Sequence, residues 1–265
     1  MQYELLALDV DGTLVPIGTE SISEIVKKSI KEVAAQGITV VLATGRSFRS
    51  ASQIACSLGV DNYLITSNGA LVQHMSNGEV LYQKNIPVNI AKEVLVAARK
   101  RGLTFDVVYP GHSVVDNDPD LIKFLREVEG VEPIICGDLE CSMKEEPIKL
   151  HFLGEQEEIM QFQAELIASL GDKINVTSSY PRLLEVVNKE TNKGVALAKL
   201  AEELNISMDK TMAIGDGNND LEMLLVAGLG VAMGNAFGAV KEVADVITHT
   251  AEDDGVAYAI EKWLK

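Results

Sequence analysis

Apolar segments of strand length alternate with amphipathic segments of helical length at both ends of the chain, and this alternation restricts the fold most strongly. Tyr3–Val10 is an almost continuous apolar run, as is typical of a strand buried on both faces. Apolar residues then recur at helical spacing from Ile22 to Val33, and a second buried run follows at Ile38–Ala43. This succession predicts an α/β fold with a doubly wound parallel sheet.

The pattern changes in the middle of the chain. From Tyr82 to Asn188, short strand-like runs mix with a few helical segments, as in an α+β domain. The first pattern then returns, with strand-like runs at Thr211–Ile214 and Gly230–Met233. We therefore predict a Rossmann-like core formed by residues 1–81 and 189–265, with an α+β domain inserted at residues 82–188. A chain of 265 residues is long enough for two domains, since single cores stop growing at about 250–300 residues.

The chain is strongly acidic, with 39 Asp and Glu residues, 23 Lys and Arg residues and a net charge of −16. Such a charge repels phosphate backbones and anionic lipids, so we expect no nucleic acid and no membrane as partners. No apolar run approaches the roughly 18 residues that span a bilayer, and the first residues lack the positive segment of a signal peptide. The three widely placed cysteines, Cys56, Cys136 and Cys141, indicate inert thiols in a reducing compartment. We predict a cytoplasmic protein, and the sequence implies no protein partner.

Four predicted strands of the core end in short segments rich in Asp, Asn, Thr and Gly. In open parallel sheets, ligands bind outside the carboxyl ends of the strands, so these segments should converge on one crevice. Asp9, Asp11 and Asp216 supply the hard oxygen ligands that Mg²⁺ prefers, and they would repel one another without a cation. The sequence therefore predicts a Mg²⁺ site that also takes a substrate phosphate. The four segments are Asp9–Thr13, Thr44–Arg46, Ser67–Gly69 and Gly215–Asp220.

Asp9 and Asp11 are two residues apart, a spacing that puts both side chains on one side of a strand. If the chain turns at Gly12, the carboxyl group of Asp11 can reach over that of Asp9. One carboxylate can then attack a phosphorus atom while the other transfers protons. Gly12 permits backbone torsions that a side chain would block, and it exposes N–H groups to phosphate oxygens.

The polar segments, taken together, resemble the motifs of the haloacid dehalogenase (HAD) superfamily, and the Cof-type phosphatases with a type IIB cap are the most similar. The resemblance spans the core from end to end, whereas the inserted domain resembles the cap mainly in length, position and element order. The segments that carry it are Asp9–Thr13, Ala43–Arg46, Ser67–Ala70, Lys193–Gly194, Gly215–Asp220 and Asp253–Ala257.

This resemblance implies catalytic roles for Asp9, Asp11, Thr44 and Lys193. Asp9 would accept the phosphoryl group as an aspartyl phosphate, and Asp11 would protonate the leaving oxygen and then activate water. Mg²⁺ would be held by Asp9, the backbone carbonyl of Asp11, and Asp216, while Asp220 would lie behind these ligands or support Lys193. The phosphate would be bound by the N–H of Val10, by the backbone at Gly12, and by Thr44, Gly45, Lys193 and Asn219.

The inserted domain would close over the site, exclude water and contact the rest of the substrate. Arg46 and Asn68, at the rim of the core, are candidates for such contacts. Arg182 and Glu185 are candidates in the inserted domain, with an exposed surface position as the alternative for each.

The predicted function is hydrolysis of small phosphorylated metabolites, such as sugar phosphates or phosphorylated cofactors. The carboxylate of Asp11 favours hydrolysis or transfer, since the phosphoryl-storing ATPases of the superfamily place a threonine there. Two alternatives stay open: a phosphomutase acting on sugar phosphates, and a non-catalytic sensor that only binds a metabolite.

Overall fold

The structure, a computed structural model, describes residues 3–19, 21–116, 118–127, 130–139, 143–180 and 182–264. The chain forms two compact units. The first comprises Met1–Gly45, Ala51–Tyr82 and Asn192–Lys265, and the second comprises Arg46–Ser50 and Gln83–Thr191. None of the described helices is long and apolar enough to cross a bilayer. Cys56 and Cys136 form no disulfide among the described residues, and Cys141 lies outside them.

Strands and helices alternate at both ends of the chain, and strands dominate its middle. The strands are β1 (Leu5–Leu8), β2 (Thr39–Leu42), β3 (Tyr63–Thr66), β4 (Leu71–His74), β5 (Val80–Gln83), β6 (Thr104–Tyr109), β7 (His112–Val115), β8 (Ile134–Ile135), β9 (Lys149–Leu153), β10 (Ile174–Tyr180), β11 (Leu183–Asn188), β12 (Thr211–Gly215), β13 (Leu229–Ala232) and β14 (Val246–Ile247). The α-helices are α1 (Glu24–Ala35), α2 (Phe48–Leu58), α3 (Val88–Lys100), α4 (Pro119–Glu127), α5 (Gln156–Leu170), α6 (Lys193–Glu203), α7 (Leu221–Val226), α8 (Gly238–Val243) and α9 (Gly255–Ala259).

A parallel sheet of five strands forms the centre of the first unit, in the order β14-β13-β12-β1-β2. Strand β1 lies between β12 and β2, and all four of its residues are buried. Leu8, the last residue of β1, lies opposite Ile214 in β12 and Leu42 in β2. The polar segments that follow these strands therefore start at one edge of the sheet, and the predicted fold class is confirmed.

Helix α1 begins after a different serine from the one that the sequence pattern suggests. The pattern Ser21-x-x-Glu24 predicts a capping box, but the N-cap is Ser23, whose Oγ accepts a hydrogen bond from the N–H of Val26 at 3.2 Å. An N-cap side chain reaches the N–H two or three residues ahead, and Ser23 satisfies this spacing for a helix that starts at Glu24.

Strands β3, β4 and β5 form a small sheet beside β2, in which β3 and β4 run antiparallel. A parallel bridge between Ala43 and Ile65 connects it to the end of β2. The turn between β4 and β5 contains Ser76-Asn77-Gly78, where the N–H of Gly78 donates to the carbonyl of His74 at 3.1 Å. Asn-Gly between two strand-like runs is typical of a hairpin turn, and the structure forms one here.

The second unit contains a six-stranded sheet in the order β10-β11-β9-β6-β7-β8, with only the β7–β8 pair parallel among the described pairs. Apolar side chains of β6, β9 and β11 pack with residues of α3 and α5 in one hydrophobic core. Because side chains alternate along a strand, the residues between them lie on the opposite face of the sheet. That opposite face carries Asp106, Lys149, His151 and Glu185, all of which are buried.

Candidate active site

The ammonium group of Lys193 lies between two carboxylates at the centre of the site. Lys193 is the first residue of α6, and it is fully buried. Its Nζ lies 2.6 Å from Oδ1 of Asp9 and 2.6 Å from Oδ1 of Asp220. Burial lowers the pKa of Lys193, but the charges of Asp220 and Asp9 outweigh this effect and raise the pKa above its usual value. Lys193 is therefore a permanent positive charge at this position.

Asn192 and Gly69 hold the first turn of α6, which carries Lys193, in place. Asn192 caps the helix, with its Oδ1 accepting a hydrogen bond from the N–H of Val195 at 2.8 Å. Gly69, in the loop after β3, has a φ of +94°, and a Cβ there would lie 2.3 Å from the carbonyl oxygen of Asn192. The loop after β3 thus packs backbone against backbone on the helix that carries Lys193, which only a glycine at position 69 allows.

Asp220 organises the loop after β12. Its Oδ1 accepts from Lys193, and its Oδ2 accepts from the N–H of Asp216 at 3.0 Å and from the N–H of Gly217 at 2.9 Å. Asp220 is fully buried. Both of its carboxylate oxygens are therefore engaged in hydrogen bonds that hold Lys193 and the turn that begins at Asp216.

Asp216 is held by two residues to which the sequence analysis assigns no role. The Oγ1 of Thr13 donates to Oδ1 of Asp216 at 2.9 Å. The Nδ2 of Asn235 lies 2.8 Å from the carbonyl oxygen of Gly12 and 3.3 Å from Oδ2 of Asp216. Asn235 also accepts a hydrogen bond from the N–H of Ala251 at 2.9 Å, so it joins three loops. Its position just after β13, at the same end of the sheet, is the signal that could have identified it.

The chain turns sharply directly after β1. The carbonyl oxygen of Val10 accepts hydrogen bonds from the N–H groups of Leu14 and Val15, both at 2.9 Å. Gly12 has a φ of +84°, and a Cβ there would lie 2.2 Å from Oδ2 of Asp216. Gly12 is thus needed for the turn and for the close approach of Asp216, while the side chain of Asp11 in the same turn is half-buried.

Asp9, Asp216 and Asp220 form a buried cluster in which one carboxylate oxygen of each lies within 4.8 Å of the others. Burial raises the pKa of Asp9 well above its usual value, and the charge of Asp220 adds to this effect. Burial and then the charge of Asp220 raise the pKa of Asp216 to about 6. Three carboxylates against one ammonium group leave two negative charges without a counter-charge, so the cluster fits a divalent cation.

The residues of this cluster are not equivalent as metal ligands. Asp220 accepts three hydrogen bonds, one from the ammonium of Lys193 and two from backbone N–H groups. Asp9 is held by Lys193 at Oδ1, and Asp216 accepts from neutral groups, Thr13 at 2.9 Å and Asn235 at 3.3 Å. Asp9 and Asp216 are therefore better suited than Asp220 to bind a cation. The carboxylate of Asp11 is not part of the cluster, and the role predicted for its backbone carbonyl stays a prediction.

Thr44 and Asn68 lie together where β2 and β3 end. The N–H of Thr44 donates to the carbonyl of Ile65 at 2.8 Å, and the N–H of Asn68 donates to the carbonyl of Thr44 at 3.1 Å. Asn68 adopts a left-handed backbone with a φ of +57°, and its Oδ1 accepts from Nδ2 of Asn219 at 3.0 Å. Among the described residues, the buried Nδ2 of Asn68 has no hydrogen-bond partner. A buried donor of this kind suits an oxygen-rich ligand such as a phosphate ester.

The other predicted substrate contacts have different surroundings. Arg46 is half-buried and belongs to the second compact unit, where its Nη1 lies 3.3 Å from Oγ of Ser50. Gly45 is half-buried. Arg182 is exposed and pairs with Glu155 at 2.6 Å, which agrees with the alternative that Arg182 is a surface residue. Glu185, in contrast, is buried against Lys149 at 2.9 Å, so the surface alternative is wrong for it.

An α/β core that gathers carboxylates from the loops after β1 and β12 around one buried lysine defines a HAD-type phosphatase. The chain belongs to the haloacid dehalogenase-like hydrolases, whose family model matches residues 6–260. It is 32% identical to the 5-amino-6-(5-phospho-D-ribitylamino)uracil phosphatase of Bacillus subtilis strain 168, an alignment that covers 100% of this chain and 97% of that protein.

Solved structures show the same fold over the whole length. A haloacid dehalogenase-like hydrolase from Bacteroides thetaiotaomicron superimposes with a TM-score of 0.87 and 31% identity, covering 98% of this chain and 99% of the other. A HAD subclass IIB sugar phosphatase superimposes with a TM-score of 0.85 and 27% identity, covering 97% of this chain and 98% of the other. The resemblance to subclass IIB phosphatases that the motifs suggest is confirmed.

Proposed function

We propose that this phosphatase requires Mg²⁺ and hydrolyses small phosphorylated metabolites through an aspartyl phosphate on Asp9. The observation that carries the proposal is the position of Lys193, which holds one oxygen of Asp9 inside a carboxylate cluster that fits a divalent cation. The names of two similar proteins support the substrate class, since one is a phosphatase of a phosphorylated ribitylaminouracil and another is a sugar phosphatase.

In the first step, Asp9 acts as the nucleophile. One carboxylate oxygen of Asp9 attacks the phosphorus atom, while Lys193 keeps the side chain in place at Oδ1. A bond forms between that carboxylate oxygen and phosphorus while the bond from phosphorus to the ester oxygen breaks. Asp11 donates its proton to the departing oxygen, so that the product leaves as a neutral alcohol.

In the second step, water takes the place of the alcohol. Asp11, now a carboxylate, removes a proton from the water as its oxygen attacks phosphorus, and the bond to Asp9 breaks. Inorganic phosphate is released, and both aspartates return to their starting states. The same residue thus acts as acid and then as base, as general acid–base catalysis requires.

Mg²⁺ would be bound by Asp9, Asp216 and the backbone carbonyl of Asp11. When bound, it offsets the repulsion between the phosphate and the surrounding carboxylates. Thr13 and Asn235 keep Asp216 in place, and Asp220 keeps Lys193 in place.

The phosphate oxygens would be bound by donors from several loops. Lys193 provides a charge, Asn68 provides its unpartnered buried Nδ2, and Asn219 lies beside Asn68. Donors placed in advance around the developing charge lower the barrier because they need no reorganisation. The remaining donors in this proposal are Thr44, Gly45 and the backbone N–H of Val10, while Arg46 would contact the rest of the substrate. The N–H of Gly12, which the sequence analysis assigns to the phosphate, instead donates to the carbonyl of Val15 at 2.8 Å.

We further propose that residues 82–188 form the domain that selects the substrate, and that the enzyme works in the cytoplasm. A domain that covers the reacting groups excludes water from the first step, when it would compete with the leaving group. Its binding partner would be a small phosphorylated metabolite.

The proposal is tested by measuring phosphate release from a panel of phosphorylated metabolites with Mg²⁺ and with a chelator. We expect release only with Mg²⁺, and loss of release in Asp9→Asn. Asp209→Asn, which changes an exposed aspartate, is the matched control and should keep wild-type activity. Conversion of one sugar phosphate into an isomer without free phosphate would instead identify a mutase. Binding without any turnover would identify a sensor.

A further inference from the structure

Helix α5 has apolar residues on two of its faces. One face packs into the hydrophobic core of the second unit with Ile159, Phe162, Leu166 and Leu170. The other face lies at the surface, where Met160 and Ile167 are 61% and 55% exposed. A helix at the surface of a globular protein normally has one apolar face and a polar face opposite it. The second apolar face of α5 is therefore a candidate contact surface.

The exposed apolar residues of α5 follow one line along the helix. Met160, Ala164, Ile167 and Gly171 are separated by four, three and four positions, the alternation found in helices that pack together along their length. Gly171 ends the helix with helical backbone torsions, so it continues the line. We call these four residues the α5 stripe. Single apolar residues on a surface need no partner, whereas a line with this spacing is typical of a helix–helix contact.

The α5 stripe is complementary to itself when two copies run antiparallel. If Met160 is placed opposite Gly171 of a second copy, Ala164 lies opposite Ile167 of that copy, and a two-fold axis repeats both layers. Every layer then contains one large and one small residue, so that the two helices can approach closely without voids. The antiparallel arrangement also sets the N-terminal end of each helix dipole beside the C-terminal end of the other.

The charges at the two ends of α5 match the same alignment. It brings Glu158, in the first turn of the helix, opposite Lys173 of the second copy, just beyond the last turn. Both residues are exposed. They are 15 positions apart in the sequence, about 22 Å at the rise of a helix, so they do not pair within one chain. Each copy carries a net charge of −16, but repulsion between exposed charges is screened beyond about 8 Å at physiological salt, so the contacts at the interface decide.

The α5 stripe lies on the side of the helix that is nearest to the edge strand β10. Helix α5 packs on β10 and β11, while α3 packs on β6, farther from this end of the sheet. Glu165 and Ser169 line the groove between α5 and α3. The stripe lies on the opposite flank of α5 from these two residues, because its members are offset from them by roughly half a turn of the helix.

Strand β10 leaves a long edge of the sheet without a neighbour. It has seven residues, none of them charged, and among the described strands it pairs only with β11. Such an edge is a template for pairing with another chain, and proteins usually protect it with a short strand, charged residues or a covering segment. The other edge of the same sheet is β8, which has only two residues. The exposed stripe and the uncharged edge are independent observations on the same side of the second unit.

We propose that the α5 stripe is the contact surface of a symmetric dimer, in which two copies of α5 pack antiparallel beside the edges of their β10 strands. The occupant is a second copy of this chain rather than a different protein, because the stripe and the charges at its ends are complementary to their own sequence in reverse. The dimer does not depend on the proposed function, so its tests measure association and not phosphate release.

Sedimentation velocity of the full chain at about 1–100 μM tests the dimer. We expect a concentration-dependent shift from the 28.6 kDa chain to a species of twice that mass. Ile167→Glu should weaken dimerisation at least about 100-fold, because it buries a charge without a partner in the interface. Ile25→Glu, which changes a 59% exposed isoleucine of α1 in the first unit, is the matched control and should dimerise like the wild type. A wild type that stays monomeric, or a dimer that Ile167→Glu leaves intact, would overturn the proposal.

Two charge variants test the antiparallel alignment. Glu158→Lys and Lys173→Glu each set like charges opposite each other twice per dimer, and each should dimerise at least about tenfold more weakly than the wild type. Mixed in equal amounts, the two variants form a heterodimer in which both pairs again have opposite charges, so we expect wild-type affinity. Damage to the helix cannot produce this recovery, because neither chain carries its own compensating change.

Lys100→Glu is the control for the change in net charge, since Lys100 is an exposed lysine of α3 in the same unit. It should dimerise like the wild type. A mixture of Glu158→Lys and Lys173→Glu that associates no more tightly than either variant alone would overturn the antiparallel dimer.

Discussion

Nζ of Lys193 and Oδ1 of Asp9 form a buried ion pair at 2.6 Å, although 184 positions separate the two residues in the sequence. The lysine follows the inserted second unit in the chain, and the aspartate follows the first strand of the core. The pair therefore forms only when both ends of the core have assembled. It also fixes one oxygen of the proposed nucleophile.

Lys193→Met should abolish phosphatase activity and destabilise the fold. Removing the ammonium leaves the carboxylates of Asp9 and Asp220 buried without their partner, and breaking a buried pair in this way costs about 3–5 kcal/mol. The free energy of unfolding is measured in urea. Lys199→Met removes an exposed lysine of the same helix and should change stability by less than about 0.5 kcal/mol. Equal stability of the two variants would contradict the proposed role of Lys193.

Asn235→Ala should weaken the apparent affinity for Mg²⁺ by about 10–100-fold, as is typical when a group that orients a metal ligand is lost. The side chain of Asn235 binds the carbonyl of Gly12 and Oδ2 of Asp216, so its loss frees Asp216 to move. The measurement is phosphate release as a function of Mg²⁺ concentration. Asn89→Ala, an exposed change in α3, is the control. An unchanged Mg²⁺ dependence in Asn235→Ala would show that Asn235 does not position Asp216.

Gly12→Ala should eliminate activity, whereas Gly18→Ala should not. Both glycines have nearly the same φ, +84° and +82°, so alanine is strained at either position by roughly 1–2 kcal/mol. Only at Gly12 would the new Cβ meet Asp216, at 2.2 Å, while it would meet nothing within 4 Å at Gly18. Comparing kcat/KM of the two variants separates the effect of displacing Asp216 from the effect of strain in the backbone. Similar losses in both would mean that the contact with Asp216 is not what matters.

His151 should make the stability of the protein depend on pH. Its pKa is raised from 6.5 to about 9 in the folded state, which corresponds to about 3 kcal/mol. Because the folded state holds this proton more tightly, the stabilisation is complete below pH 6.5 and is lost as the pH rises through about 9. Burial and the charge of Lys149 lower the pKa of His151, and the contacts with Asp106 and Glu185 outweigh them.

The measurement is the free energy of unfolding at pH 6.5 and pH 9.5, for the wild type and for His151→Gln. We expect the wild type to lose up to about 3 kcal/mol more than the variant over this interval. His112→Gln, a half-buried histidine of β7 in the same unit, should behave like the wild type. Parallel losses in the wild type and His151→Gln would refute the assigned ionisation.

The sequence suffices to predict that Asp9 and Asp216 come together, because both follow apolar strands whose carboxyl ends meet at one edge of a parallel sheet. It does not predict Asn235 or Thr13 as partners of Asp216. Those contacts depend on the conformations of loops, which the spacing of apolar residues does not determine.

The sequence also does not predict that Asp106, Lys149, His151 and Glu185 are buried together. The alternation of apolar residues locates β6, β9 and β11, but the register that places His151 between Asp106 and Glu185 depends on how strands distant in the chain pair. A charged residue in a strand is usually exposed, so the pattern alone favours a surface position for Glu185. The ion pair with Lys149, 36 positions away, is what makes its burial possible.

The contact between Gly69 and the carbonyl of Asn192 has a consequence for engineering this enzyme. Asn192 immediately follows the second unit, and the next residue carries the ammonium group that binds Asp9. Grafting a foreign domain in place of the second unit would therefore need a C-terminal junction upstream of Asn192. A junction moved into α6 would displace Lys193, however well the graft itself folded.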